Sequence, residues 1–112
     1  MAGVLDGISV LDLSEGIAGP MATMLLADHG AAVLKVERPG GDPFRTQLGY
    51  ARWQRGKRSA VLDLRSKADR EVLQALSQTA DVVVESFRPD KAQEFGADYE
   101  TLSRRNQRLI HC

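Results

Sequence analysis

The stretch Ile8–Arg38, ISVLDLSEGIAGPMATMLLADHGAAVLKVER, decides the fold. It opens with ISVLDL, an apolar run rich in β-formers, bounded by Gly7 and by Ser14-Glu15-Gly16. The run alternates poorly, so the expected strand is buried on both faces. Gly19-Pro20 starts a helix, with proline at the first helical position, where its missing N–H would have no partner in any case. Met21, Leu25 and Met24 or Leu26 fall at helical spacing and are the expected packed face. Gly30 is placed to end the helix in a left-handed conformation. Ala31–Val36, AAVLKV, is then a second strand, broken by Glu37-Arg38-Pro39-Gly40-Gly41. A parallel β-α-β unit of this kind offers its strand ends and its helix start to a ligand.

Outward from that unit the alternation continues. Gly40–Lys57 is glycine-rich, aromatic and basic without a clean period, and reads as a long connection of the sort that carries function. Ser59–Leu64 resumes strand character. Ser66 is the expected N-cap of a helix over KADREVLQALSQT, with Asp69 closing a short capping box and Val72, Leu73 and Leu76 on the apolar stripe. Asp81–Glu85, DVVVE, is another buried strand, ended by Arg88-Pro89. A short turn or helix, DKAQEF, stops at Gly96, a second short helix covers Tyr99–Asn106, and Leu109–Cys112 begins one more strand. Strands alternating with helices imply an α/β fold, a Rossmann-like parallel sheet with helices on both faces. Residues 1–112 are expected to be the front part of a larger domain, because the sequence stops inside an apolar strand.

Composition narrows the function. With 112 residues the chain reads as one domain or one fragment of a larger one, and at 43% apolar content disorder is not the expectation. Fifteen basic and fifteen acidic residues cancel, so no broad nucleic-acid footprint is implied. The charges are uneven, however: Arg45–Arg58 holds five Arg or Lys and no acid. The lone cysteine, Cys112, excludes an internal disulfide and fits a reducing cytoplasm. No run is long enough to cross a bilayer and the N-terminus lacks signal-peptide character, so a cytoplasmic protein with no membrane partner is expected.

Several features bear on chemistry. Gly16-Ile17-Ala18-Gly19 supplies Gly-x-x-Gly where a dinucleotide fingerprint needs Gly-x-Gly-x-x-Gly. It reads either as an anion-binding turn made from backbone N–H groups and the helix dipole, or as a tight turn for close strand–helix packing. Glu37 stands where a dinucleotide enzyme holds a ribose diol, and Arg38 beside it suits a phosphate or an adenine face. Arg52, Arg55, Lys57 and Arg58 around Trp53 suit phosphates and a stacked base, or an ordinary exposed loop. Ser86-Phe87-Arg88 ends the third buried strand on the edge where ligands of open sheets collect, which brings Arg88 toward Arg38. His29 and His111 lack a partner pattern, and neither metal-ligand spacing nor a Ser-His-Asp or Cys-His set is present. Asp12, Asp63 and Asp81 read as turn or cap residues.

LDGISVLDLSEGIAGPMATMLLADHGAAVLKVERPGGDPFR resembles the opening of the family III CoA-transferases (the CaiB/BaiF group), which also contains α-methylacyl-CoA racemases and carnitine-CoA transferases. The likeness continues through RGKRSAVLDLRS, ADVVVESFRP and NQRLIHC, and so spans essentially the whole sequence. The resemblance implies a much longer enzyme whose two subunits thread through each other as interlocked rings. It implies acyl exchange between a CoA thioester and a small organic acid through an aspartate nucleophile that lies beyond Cys112, so no catalytic residue is present here and this stretch alone would be inactive. Coenzyme A is then a substrate, not a permanently bound cofactor. Racemases of the group instead move an α-proton with an acid–base pair. A non-catalytic nucleotide-binding module is the third reading.

On the same resemblance, Ile17 and Ala18 line the thioester end of a CoA site and Arg38 meets the adenine nucleotide. Leu62, Asp63, Leu64 and Arg65, with Ser86, Phe87 and Arg88, wall the rest. Three positions depart from the family pattern. Formyl-CoA transferases carry glutamine where this chain has Ile17, which disfavours formate–oxalate exchange. Ser86 replaces a frequent asparagine, and Glu94 replaces a frequent arginine. The residues Tyr50-Ala51-Arg52-Trp53 look closer to racemase-like members.

Overall fold

The computed structural model describes residues 3–112. Ten elements follow in order: β1 (Ser9–Asp12), α1 (Ala18–Asp28), β2 (Ala32–Glu37), α2 (Tyr50–Trp53), β3 (Lys57–Val61), α3 (Lys67–Thr79), β4 (Val82–Val84), α4 (Pro89–Glu94), α5 (Tyr99–Ser103) and β5 (Ile110–His111). The strands form one sheet in the order β3-β2-β1-β4-β5, and every neighbouring pair is parallel. Strand order therefore reverses between β1 and β4, which makes their carboxyl ends the switch point of a doubly wound sheet.

Side chains along each strand alternate between two cores. Val10, Val33 and Val84 face α1, packing with Ala31, Leu26 and Ala27. Leu11, Val36 and Val83 face the other way, into a larger core with Leu73 of α3, Leu102 of α5 and Leu109. Both central strands are buried on both faces, as the poor alternation of ISVLDL and DVVVE predicts. No helix among the described residues is long and apolar enough to cross a membrane.

The caps show where the sequence reading holds and where it slips. Gly30 does follow the end of α1, at φ +108°, a conformation that costs a residue without Cβ little. Pro20, however, is the third residue of α1, because the helix begins at Ala18. Ser66 caps α3 by accepting the Asp69 N–H, but the Asp69 carboxylate turns to the Asp63 N–H, 2.7 Å away, so the box is not closed on Ser66. Strand β3 starts at Lys57, earlier than expected, and ends at Val61, so Leu62–Leu64 leave the sheet. The long connection also contains the short helix α2.

The packed face of α1 is the clearest correction. Met24 is buried, but Met21 and Leu25 are exposed, and the residues turned inward beside Met24 are Pro20 and Thr23. A helix that is apolar nearly all round gives periodicity little to choose between. The choice is made by Thr23, whose hydroxyl donates to the buried Asp12 carboxylate at 2.6 Å. Val72 of α3 is likewise exposed, while Leu73 is completely buried.

Candidate functional site

At the carboxyl ends of β1 to β4 lies an open cleft of about 480 Å³. Its floor is apolar, built from Leu13, Val36 and Leu64, which form the top of the α3-side core. Arg38 and Pro39, from the end of β2, form one wall with Leu62, Asp63 and Arg65 from the segment after β3. Phe87 and Arg88, after β4, form the other with Lys91 and Phe95 of α4 and its cap. The rings of Phe87 and Phe95 meet edge to face with centroids 5.3 Å apart, which stiffens that wall. Helix α4 starts where it does because Pro89 takes its first position, and this projects Lys91 and Phe95 four residues apart on one face.

Arg38 is the best-held cation of the cleft. Its Nε donates to Glu15 at 2.7 Å and its Nη2 to the other carboxylate oxygen, a bidentate pair. Hydrogen bonding to Glu15 raises the pKa of Arg38 above the ordinary guanidinium range. Glu15 is fixed in turn, since its N–H donates to Ser86 Oγ at 2.9 Å. The other cations are looser and exposed: Arg65 pairs with the half-buried Asp63, Lys91 with Glu94, and Arg88 lies 3.6 Å from Asp90. Exposed pairs of this kind hold little free energy and are readily exchanged for an anionic ligand.

Of the residues marked in the sequence, Arg38, Leu62, Asp63, Leu64, Arg65, Phe87 and Arg88 line this one cleft. Ile17 and Ala18 do not; they sit exposed at the start of α1. Ser86 is beside the cleft as the acceptor for Glu15. Lys91 and Phe95 were missed, although their spacing within DKAQEF was a usable signal. Glu94, the charge-reversed position, points to Lys91 at 2.9 Å and is not part of the lining.

Three readings of the charged residues need correction. Glu37 is not free for a ribose, because it is buried and accepts from Tyr50 Oη and Arg45 Nη2, both at 2.6 Å. Burial and that bond raise the Tyr50 pKa, so its hydroxyl keeps its proton. The cations around Trp53 do not form a phosphate cradle: Lys57 is buried against Asp12 at 3.0 Å and Arg55 pairs with Asp28 at 2.7 Å. Asp12 is not an ordinary turn residue but a carboxylate with no exposed surface, holding Ser14, Thr23 and Lys57. Gly19 meanwhile answers to packing, since a Cβ there would stand 2.3 Å from the Ser14 Cβ.

Sheet order, switch-point cleft and cation-lined walls define a Rossmann-like α/β protein. Comparison with known proteins gives the family: the chain belongs to CoA-transferase family III, whose family model matches residues 5–112. It is 47% identical, over 97% of its length, to the succinyl-CoA:mesaconate CoA-transferase of Haloarcula hispanica, of which it covers 31%. It is 43% identical to the human α-methylacyl-CoA racemase, over 96% of its length and 27% of that protein. The crystal structure of a CaiB/BaiF family protein from Brucella suis superposes with a TM-score of 0.92 at 38% identity, over 100% of this chain and 33% of that one. The chain thus spans about a third of the length of the relatives it matches.

Proposed function

We propose that this chain is the CoA-binding portion of an acyl-CoA:carboxylate CoA-transferase. The observation that carries the reading is the convergence of Arg38, Leu62–Arg65 and Phe87–Arg88 on one cleft at the switch point. An apolar floor suits an adenine ring, and flanking Arg and Lys side chains suit its phosphates. Arg38, held flat by Glu15, meets the adenine nucleotide, while Arg65, Arg88 and Lys91 surround the phosphates. Ile17 and Ala18, at the exposed start of α1, stand on the thioester side, with Ser86 buttressing Glu15 between them and the cleft. The apolar Ile17 favours an acyl group over formate. Coenzyme A enters and leaves as a substrate, and the nucleophilic aspartate is expected in chain beyond Cys112. A homodimer working in the cytoplasm completes this reading.

Calorimetric titration of CoA into the native gene product tests it. Arg38→Ala should weaken binding by about 1.5–3 kcal/mol, the worth of a hydrogen bond to a charged group, and unchanged affinity would remove Arg38 from the site. A racemase is the competing assignment, supported by the likeness to the human enzyme. Incubation with a chiral 2-methylacyl-CoA in heavy water separates the two. Deuterium at the α-carbon without acyl exchange would sink the transferase assignment.

A further inference from the structure

On the α1 face of the sheet, charge is confined to the half nearest the cleft. Toward the amino ends that face is apolar, with Val10, Val33, Ala31 and Val82. Toward the carboxyl ends it carries Asp12, Lys35 and Glu37, joined there by Asp42, all buried. Two ion pairs there have side chains almost wholly out of water, Lys35–Asp42 at 2.9 Å and Lys57–Asp12 at 3.0 Å. Stability alone does not call for them, since buried ion pairs are often matched or bettered by apolar residues of the same volume.

Both pairs close on a single residue, Ser14. Asp12 accepts from its N–H and from its hydroxyl. Lys35 Nζ donates to its carbonyl as well as to Asp42. Every polar group of Ser14 is therefore held by a buried charged side chain. The next residue is Glu15, whose carboxylate grips Arg38 across the cleft wall. Arg38 is itself three residues beyond Lys35, on the far side of the same strand end. A closed loop of contacts thus runs Lys35–Ser14–Glu15–Arg38.

We propose that Lys35, with Asp42, is a positioning residue for the cleft: from beneath the sheet it fixes Ser14 and so sets, through Glu15, the direction in which Arg38 presents its guanidinium. The proposal rests on the CoA-binding reading for its functional consequence, but its structural half does not. Lys35 touches no ligand in this scheme. It fixes the turn whose far end grips the side chain that does.

The test replaces the pair by apolar residues of similar volume, Lys35→Met with Asp42→Leu, in the native gene product. Two readouts are taken: the ¹⁵Nε–H signal of Arg38 without ligand, assigned by its loss in Arg38→Ala, and CoA affinity. The melting temperature should fall only modestly, because the pair is replaced by matched volume while the Ser14 carbonyl and the Phe44 N–H lose their side-chain partners. The Arg38 signal shifts and exchanges faster with water. CoA affinity should fall about three- to thirtyfold, the range usual for coupling through side-chain networks, and Arg38→Ala should cost less in this background than in the parent. An unmoved Arg38 signal overturns the proposal whatever CoA does, and so does a shifted signal with unaltered affinity. If the parent protein binds no CoA but the signal shifts, the contact loop stands and the CoA reading is what fails. Should the double variant not fold, Asp42→Asn, which discharges the pair yet keeps an oxygen for Lys35, is expected to shift the same signal in the same direction, and its silence counts against the proposal.

Discussion

Asp12 carries a full charge with no surface in water, and its neighbours explain how. Burial on its own would raise its pKa, but hydrogen bonds from Ser14 and Thr23 and the charge of Lys57 outweigh it and hold the carboxyl below its ordinary value. The folded state therefore binds fewer protons here than the unfolded chain does. The contribution is complete above the ordinary carboxylate pKa and is lost as pH falls through the depressed folded value. Asp12→Asn leaves Lys57 buried and unpaired, so it should cost roughly 3–5 kcal/mol at neutral pH. It should also flatten the acid side of the stability curve, and urea midpoints measured from neutral to acid pH check both effects. A variant as acid-sensitive as the parent would move the titration elsewhere. None of this was legible locally: an Asp after a strand looks like a turn residue, and its counter-ion Lys57 is 45 positions away. Arg38 and Arg88 were legible, because a cation just past a buried strand is placed by the topology itself.

At the scale of elements, the sequence is most informative where a cap or a period decides and least where a tertiary partner does. Helix α3 was readable from Ser66 and its apolar stripe, but its far end is closed by a residue no local rule marks. Asn106, in the turn before β5, donates from Nδ2 to the carbonyls of Ser77 at 2.9 Å and Ala80 at 2.8 Å. Those carbonyls belong to the unpaired end of α3, and Ala80 is already extended. Asn106→Ala should lower stability by about 1–3 kcal/mol, the cost of leaving buried acceptors unmade. Asn106→Asp should do no better, since a carboxylate cannot donate. Because the end of α3 faces the amino ends of the strands, away from the cleft, CoA affinity should not change. A variant that loses affinity with stability intact would show that the two ends of the sheet are coupled. Strand β3 shows the same logic in reverse: SAVLDL reads as strand throughout, yet Leu62–Leu64 are drawn off the sheet to build the cleft floor and wall.

For the whole molecule, the question is what covers its apolar outside. Ile17, Met21 and Leu25 make an exposed stripe along α1, and Ile110 of β5 is exposed at an open sheet edge. Formal net charge is zero at neutral pH, so no long-range repulsion keeps copies apart. A chain of this length buries only about two-thirds of its unfolded surface, which leaves it a thin margin of stability when alone. The relatives carry most of their length outside the matched third, so in them these surfaces have chain available to cover them. The 112-residue chain expressed alone is therefore expected to self-associate at neutral pH, as read by light scattering across a size-exclusion peak. Two kinds of substitution separate the sources. Met21→Lys with Leu25→Glu should reduce association if the α1 stripe drives it, and Ile110→Lys should do so if the sheet edge does. All three side chains are exposed over roughly half their surface, so stability of the soluble fraction should stay within about 1 kcal/mol of the parent. A sharp monomer peak with a cooperative melt for the unsubstituted chain would mean that the two cores around β1 and β4 suffice on their own, and that the exposed stripe is tolerated surface.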